Sequence, residues 1–194
     1  MDFLGGLWVV WVFLALPAWA ELELRQPLEC SLGETCLIQQ FMDHDATSGV
    51  QNFSCDGASY DGHKGTDFCV RVEDMRKGVD VLAAADGIIM GLRNEMANQR
   101  AETQAKMMLF AGKECGNGLV LRHEDGWETQ YCHMKQGSVI GEKGALVEAG
   151  DVIGQVGLSG AHNSRICIFR CAKTVNLLIH SHQNLMGRAV HLPP

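Results

Sequence analysis

The chain has 194 residues, with 16 Lys and Arg against 23 Asp and Glu and a formal net charge of −7 at pH 7. An acidic balance without clustered basic side chains argues against a partner bound through phosphates, so no nucleic acid is expected. The length suffices for one domain with a real core.

Residues 1–20 run through the apolar stretch Leu7 to Leu14 and end on Ala18-Trp19-Ala20, the pattern of an export signal peptide cleaved after Ala20. The competing reading is a membrane anchor, but Pro17 interrupts an apolar run already short for a bilayer. Asp2 departs from the pattern, since a basic residue is the rule there. The expectation is a periplasmic or extracellular protein with no stable membrane span once the signal is removed. Eight cysteines (Cys30, Cys36, Cys55, Cys69, Cys115, Cys132, Cys167 and Cys171) in an exported chain read first as disulfides. A zinc knuckle is the alternative, and the chain has no C-x-x-C pair to build one. The connectivity stays open at this level.

Residues 21–50 form a lead-in expected on the edge of the domain. From Gln51 short apolar runs alternate with glycine: 68–72, 79–84, 87–92, 118–122, 128–134 and 145–158. This spacing predicts a mostly β domain over 51–160, an antiparallel sandwich or barrel-like sheet. Residues 73–78 read as one helical turn. The polar, Met-rich stretch 94–112 reads as a short helix or an inserted loop, about 94–114, over one face.

The segment Ser59-Tyr60-Asp61-Gly62-His63-Lys64-Gly65-Thr66-Asp67-Phe68 places a His and an Asp four apart, with glycine on both sides of the His. A glycine turn can fold the two side chains onto one cation, and imidazole and carboxylate both suit zinc. Taken alone, the same pattern is also met in solvated turns. Farther on, Thr129-Gln130-Tyr131-Cys132-His133-Met134 places His133 at a predicted strand end. A single His in such a setting is also compatible with a hydrogen-bonded core residue.

Together the two segments resemble the lysostaphin/LytM family of zinc metalloendopeptidases, which cleave peptidoglycan. The resemblance covers roughly residues 51–160. It matches His63 and Asp67 to two zinc ligands in a G-H-x-G-x-D segment, and His133 to the catalytic histidine of a Y-x-H segment. Gly150-Asp-Val-Ile-Gly-Gln-Val-Gly-Leu-Ser-Gly160 matches the turn before the family's last motif. The implied fold is a groove-bearing sheet of the duplicated-hybrid-motif type, the implied cofactor is zinc, and the implied partner is a peptidoglycan peptide. The implied mechanism is metal-assisted hydrolysis, with His133 and the first histidine of the last motif orienting water and stabilising the oxyanion.

The last motif of the family, H-x-H within P-H-L-H-F, is absent. Gly160 is followed by Ala161-His-Asn-Ser-Arg-Ile-Cys-Ile-Phe-Arg-Cys-Ala-Lys173. Reading the third base of each codon with the first two of the next admits Pro, His, Leu, His and Phe in successive slots from Arg165 to Phe169. We therefore expect a base to be missing near the Gly160/Ala161 junction, with residues 161–194 out of frame and replacing the last strands. The two family histidines fall on Ile166 and Ile168, which leaves zinc without its third protein ligand. Arg165 to Arg170 remains β-branched enough to form a strand. His180-Ser181-His182 restores an H-x-H well downstream, and His162 is a weaker substitute.

The reading is thus a zinc metalloendopeptidase impaired by loss of its H-x-H. The alternative is a non-catalytic module that binds cell wall or regulates amidases. A lipoyl-like or carbohydrate-transport carrier domain shares the Gly-rich pattern near Val147 to Gly157 but gives no reason for the His/Asp turn.

Overall fold

The computed structural model of the protein describes residues 22–99, 103–161 and 166–173, the last of these through its backbone. The signal segment, His162, His180 and His182 lie outside the described residues.

The elements in chain order are β1 (Cys36–Gln40), β2 (Thr66–Val70), α1 (Val72–Lys77), β3 (Asp80–Leu82), β4 (Gly87–Arg93), α2 (Gln104–Met108), β5 (Asn117–Arg122), β6 (Trp127–Met134), β7 (Leu146–Val147), β8 (Val152–Gln155) and β9 (Ile166–Lys173). Seven strands form one antiparallel sheet in the order β1-β2-β9-β6-β5-β4-β7, and β3 pairs with β8 in a separate ribbon. The mostly β, antiparallel architecture is the one expected. The Gly-rich stretch after Gly144 supplies strands to both sheets, because the turn at Gly150, with φ of +96°, divides β7 from β8. The inserted stretch holds only the short α2, whose first turn is capped by the Thr103 side chain accepting from the Lys106 N–H at 3.2 Å. No helix among the described residues is long and apolar enough to cross a membrane.

Alternation along the strands explains which face is buried. In β2, Phe68 and Val70 enter the core while Asp67 points to the other face of the sheet. Ile89, Leu119, Leu121 and Tyr131 extend the core along the large sheet, and Val81 and Ile153 of the ribbon join it. Burial of each large aliphatic side chain here contributes about 1.5–3 kcal/mol. Leu24 and Leu28 of the lead-in belong to the same core, and β1 is the edge strand of the sheet.

Beneath the sheet runs a chain of buried polar groups. The Ala84 N–H donates to the Tyr131 hydroxyl at 2.8 Å, and the Tyr131 and Thr129 hydroxyls lie 3.1 Å apart. Thr129 Oγ1 is 2.8 Å from His123 Nε2, and His123 Nδ1 is 2.7 Å from the Asp86 carbonyl. A carbonyl only accepts, so Nδ1 carries the proton and Nε2 accepts from Thr129. The Thr129 oxygen then accepts from Tyr131, and each bond in the chain has one donor. Tyr131→Phe strips the Ala84 N–H and Thr129 of a partner and is expected to destabilise the fold by about 1–3 kcal/mol. A lowered denaturant midpoint with an unchanged slope is the expected readout.

Candidate active site

The turn before β2 is shaped by backbone constraints. Gly62 adopts a left-handed conformation, φ +72°, which suits glycine, and the His63 N–H closes the turn onto the Tyr60 carbonyl at 2.9 Å. The lead-in holds the turn from outside. The Asp43 N–H donates to the His63 carbonyl at 2.8 Å, and the Gly62 N–H donates to Asp43 Oδ2 at 3.0 Å. N–H groups of Gln51 and Asp45, with a smaller contribution from Gly62, keep the Asp43 carboxyl below its usual range.

This turn brings His63 and Asp67 together. Both are 4% exposed, and His63 Nε2 lies 3.2 Å from Asp67 Oδ1. That separation is within ion-pair reach, yet the ring nitrogen and the carboxylate are not aligned for a hydrogen bond, and both atoms are buried without a hydrogen-bond partner. Hydrogen bonding depends on direction, so the missing alignment outweighs the short distance. With Nε2 unprotonated the two atoms present lone pairs to each other, which is costly in a buried site unless a proton or a metal cation accepts both. Their spacing also fits one: tetrahedral zinc with bonds of about 2.0–2.1 Å has ligand-to-ligand edges of about 3.3 Å. These residue types therefore suit the metal. Among the described residues no group of three His, Cys, Asp or Glu side chains gathers in a metal-holding arrangement. The Tyr60 ring packs on His63 with centroids 4.2 Å apart. Partial burial, and after it the negative charge of Asp67, raises the Tyr60 hydroxyl above its usual range.

His133 lies at the end of β6, two strands from Asp67 with β9 between them. On β9, position 168 faces Asp67 and position 169 faces Tyr131. Thr66 and Tyr131 thus stand at one level of β9, and His133 lies two residues beyond Tyr131, in the direction in which β2 also runs away from the turn. Its backbone is left-handed, φ +59°, where β6 carries an extra residue relative to β5 between the Asn117↔Met134 and Leu119↔Tyr131 pairs. Gly118 sits opposite this bulge, and a Cβ there would collide with the Tyr131 carbonyl. The Cys115–Cys132 disulfide and the His133 N–H donating to the Cys115 carbonyl at 2.7 Å hold the bulge.

The ring of His133 is oriented by Ser159, whose carbonyl is 2.7 Å from Nδ1. The Ser159 hydroxyl donates to the Met134 carbonyl at 2.7 Å and accepts from the Asn117 N–H at 2.8 Å. Gly116 and Gly160 allow this close packing, since a Cβ on either would press on the opposing backbone. Neither Ser159 nor Tyr60 was singled out from the sequence, although both lie within segments that carry the resemblance. Nothing in the sequence marks Asp43, whose partners are backbone groups.

The cysteines bear out the disulfide reading in part. Cys30 pairs with Cys36 and Cys115 with Cys132, while Cys55 and Cys69 are unpaired. The pairing of Cys167 and Cys171 lies outside the described residues.

A model of "Peptidase family M23" matches residues 61–177, more than half of the chain and past Gly160. No curated protein sequence matches. Among solved structures, a chain of the SpoIIIAH and SpoIIQ complex is 17% identical, with 78% of this chain and 92% of that one covered and a TM-score of 0.52. The catalytic domain of lysostaphin from Staphylococcus simulans is 20% identical, with 73% and 82% covered and a TM-score of 0.44. A zinc containing peptidase from Vibrio cholerae is 21% identical with a TM-score of 0.42; 76% of this chain is covered, and the chain spans 33% of the length of that protein. Identities this low speak to the fold alone, and the family rests on the sequence model. The chain belongs to peptidase family M23, the lysostaphin/LytM type that its motifs resemble.

Proposed function

We propose that this chain is a zinc-dependent endopeptidase of the peptidoglycan-cleaving type, acting outside the cytoplasm, whose hydrolysis is impaired because the H-x-H donors are missing. The observation that supports it best is the buried, unpartnered pair of His63 Nε2 and Asp67 Oδ1, 3.2 Å apart. These two atoms would hold the metal. Bound zinc supplies a Lewis acid that acidifies water and polarises a peptide carbonyl.

The remaining chemistry falls to His133. Its Nδ1 donates to the Ser159 carbonyl, so the neutral ring carries its lone pair on Nε2. That nitrogen takes a proton from water and, once protonated, donates to the developing oxyanion.

The register of β9 supports the placement of the lost donors. Position 168 faces Asp67 across the ladder and position 166 faces Cys69. Isoleucine occupies both, and its side chain neither binds metal nor moves a proton. A catalytic zinc site ordinarily has three protein ligands, so two are expected to bind weakly. The same isoleucines favour, as a second reading, a non-catalytic module that binds cell wall or regulates amidases through the groove.

Zymograms on purified cell wall, with and without zinc, test this on the full chain and on the double variant Ile166→His/Ile168→His. Activity in the double variant alone, with a raised zinc content, is the expected outcome. Unchanged zinc content counts against the placement of the donors, and activity in neither chain moves the assignment to the binding module. The proposed frame slip has its own check at the locus. Nucleotides after the Gly160 codon are expected to encode P-H-L-H-F in the neighbouring frame, and their failure to do so refutes the slip.

A further inference from the structure

Among the described residues, three buried side-chain nitrogen or oxygen atoms have no hydrogen-bond partner: His63 Nε2, Asp67 Oδ1 and Gln40 Oε1. The first two form the pair already described. The third belongs to the last residue of β1, and the ladder places it beside that pair.

From Cys36 to Ile38 the register runs regularly, Cys36 to Val70, Leu37 to Cys69 and Ile38 to Phe68. Continued without interruption, it would pair Gln39 with Asp67. Instead a bulge intervenes and Gln40 becomes the partner of Asp67. One extra residue thus re-aims the amide of Gln40 from the Thr66 level of the ladder to the Asp67 level. Directly paired residues share a face of an antiparallel sheet, their Cα atoms about 4.5–5.5 Å apart. The Gln40 oxygen is buried on that side although the residue lies on an edge strand.

With Nε2 of His63 unprotonated, its lone pair, the carboxylate oxygen of Asp67 and the amide oxygen of Gln40 are all acceptors. None can satisfy another, and a cation satisfies all of them. We infer that Gln40 Oε1 is a further protein donor to the cation held by His63 and Asp67, giving a mixed nitrogen and oxygen site built before Val70. The inference rests on the proposed reading of His63 and Asp67 as metal donors. It makes binding partly independent of the residues after Gly160, because β1, the turn and β2 are all encoded upstream. An amide oxygen is a weaker zinc donor than imidazole, so the site binds metal less tightly than one completed by histidine.

Zinc alone is the probe. The full chain is freed of metal and titrated against a chromophoric chelator, beside Gln40→Ala, Gln40→Glu, His63→Ala and Ile168→His, with circular dichroism as the check on folding. Expected are one zinc per chain, loss of binding in His63→Ala, binding at least tenfold weaker in Gln40→Ala, and tighter binding in Gln40→Glu, which offers a carboxylate at the same place. Gln40→Ala binding as tightly as the unaltered chain overturns the role of Gln40 and leaves the His63/Asp67 reading intact. Equal weakening by Gln40→Ala and Gln40→Glu also overturns it, since the amide then serves by donating its N–H to Asp67. An unaltered chain that binds no zinc overturns it as well: binding regained in Ile168→His keeps the proposed function, and none there removes both. Should Gln40→Ala fail to fold, Gln40→Glu decides, with weaker binding as the adverse result.

Discussion

Where the turn enters β2, the ring nitrogen of His63 and a carboxylate oxygen of Asp67 lie 3.2 Å apart, both buried and without a hydrogen-bond partner. Such a pair opposes folding, because each atom has given up water without gaining a donor. The surrounding chain nevertheless holds it in place. Gly62 folds the turn in the left-handed region, the Asp43 carboxylate and N–H bind its outer side, and β2 fixes Asp67 through pairing on both edges. Local strain or unmet polarity that persists because its surroundings over-determine it is a mark of functional sites. With the ring nitrogen unprotonated both atoms are acceptors, and two facing acceptors are satisfied by a cation.

The second part of the site is built by the same kind of device. His133 occupies a left-handed conformation that a non-glycine residue adopts at some cost, at a bulge opposite Gly118. The disulfide between Cys115 and Cys132 and the buried hydroxyl of Ser159 hold this geometry, and the Ser159 carbonyl sets the tautomer of the ring. Both halves of the site therefore rely on backbone groups and small residues, with side-chain chemistry added at a few positions.

This division governs what could be read from the chain beforehand. The strands of the large sheet after β1 were legible because short apolar runs separated by glycine mark them, and the helical turn after Arg71 because its composition interrupts those runs; β1, within the lead-in, was not. His63, Asp67 and His133 could be singled out as candidates because each lies in a short motif of the family the chain resembles. Ser159 was not, since it contributes through a carbonyl that every residue has. Gln40 was not, since its pairing with Asp67 depends on a bulge at Gln39 that no local residue announces. The lead-in was expected at the edge of the domain, and β1 is there, but Leu24 and Leu28 also enter the core. Two apolar residues in a polar stretch carry too little periodicity to predict that.

The β9 strand shows how architecture and chemistry separate. Strand pairing is made by backbone groups, and the side chains need only tolerate a pleated, half-buried surface. Ile166, Cys167, Ile168 and Phe169 meet that demand, and the strand takes its place between β2 and β6. A metal donor has a stricter requirement, since one atom type must stand at one register position. Side chains at positions 166 and 168 can thus change without loss of the ladder. His63 and Asp67 lie upstream of β9 and are held by the turn, by Asp43 and by the ladder bonds of β2. The pair is in this way a product of chain order: two groups four residues apart are set by one turn and one strand, whatever side chains the neighbouring strand carries.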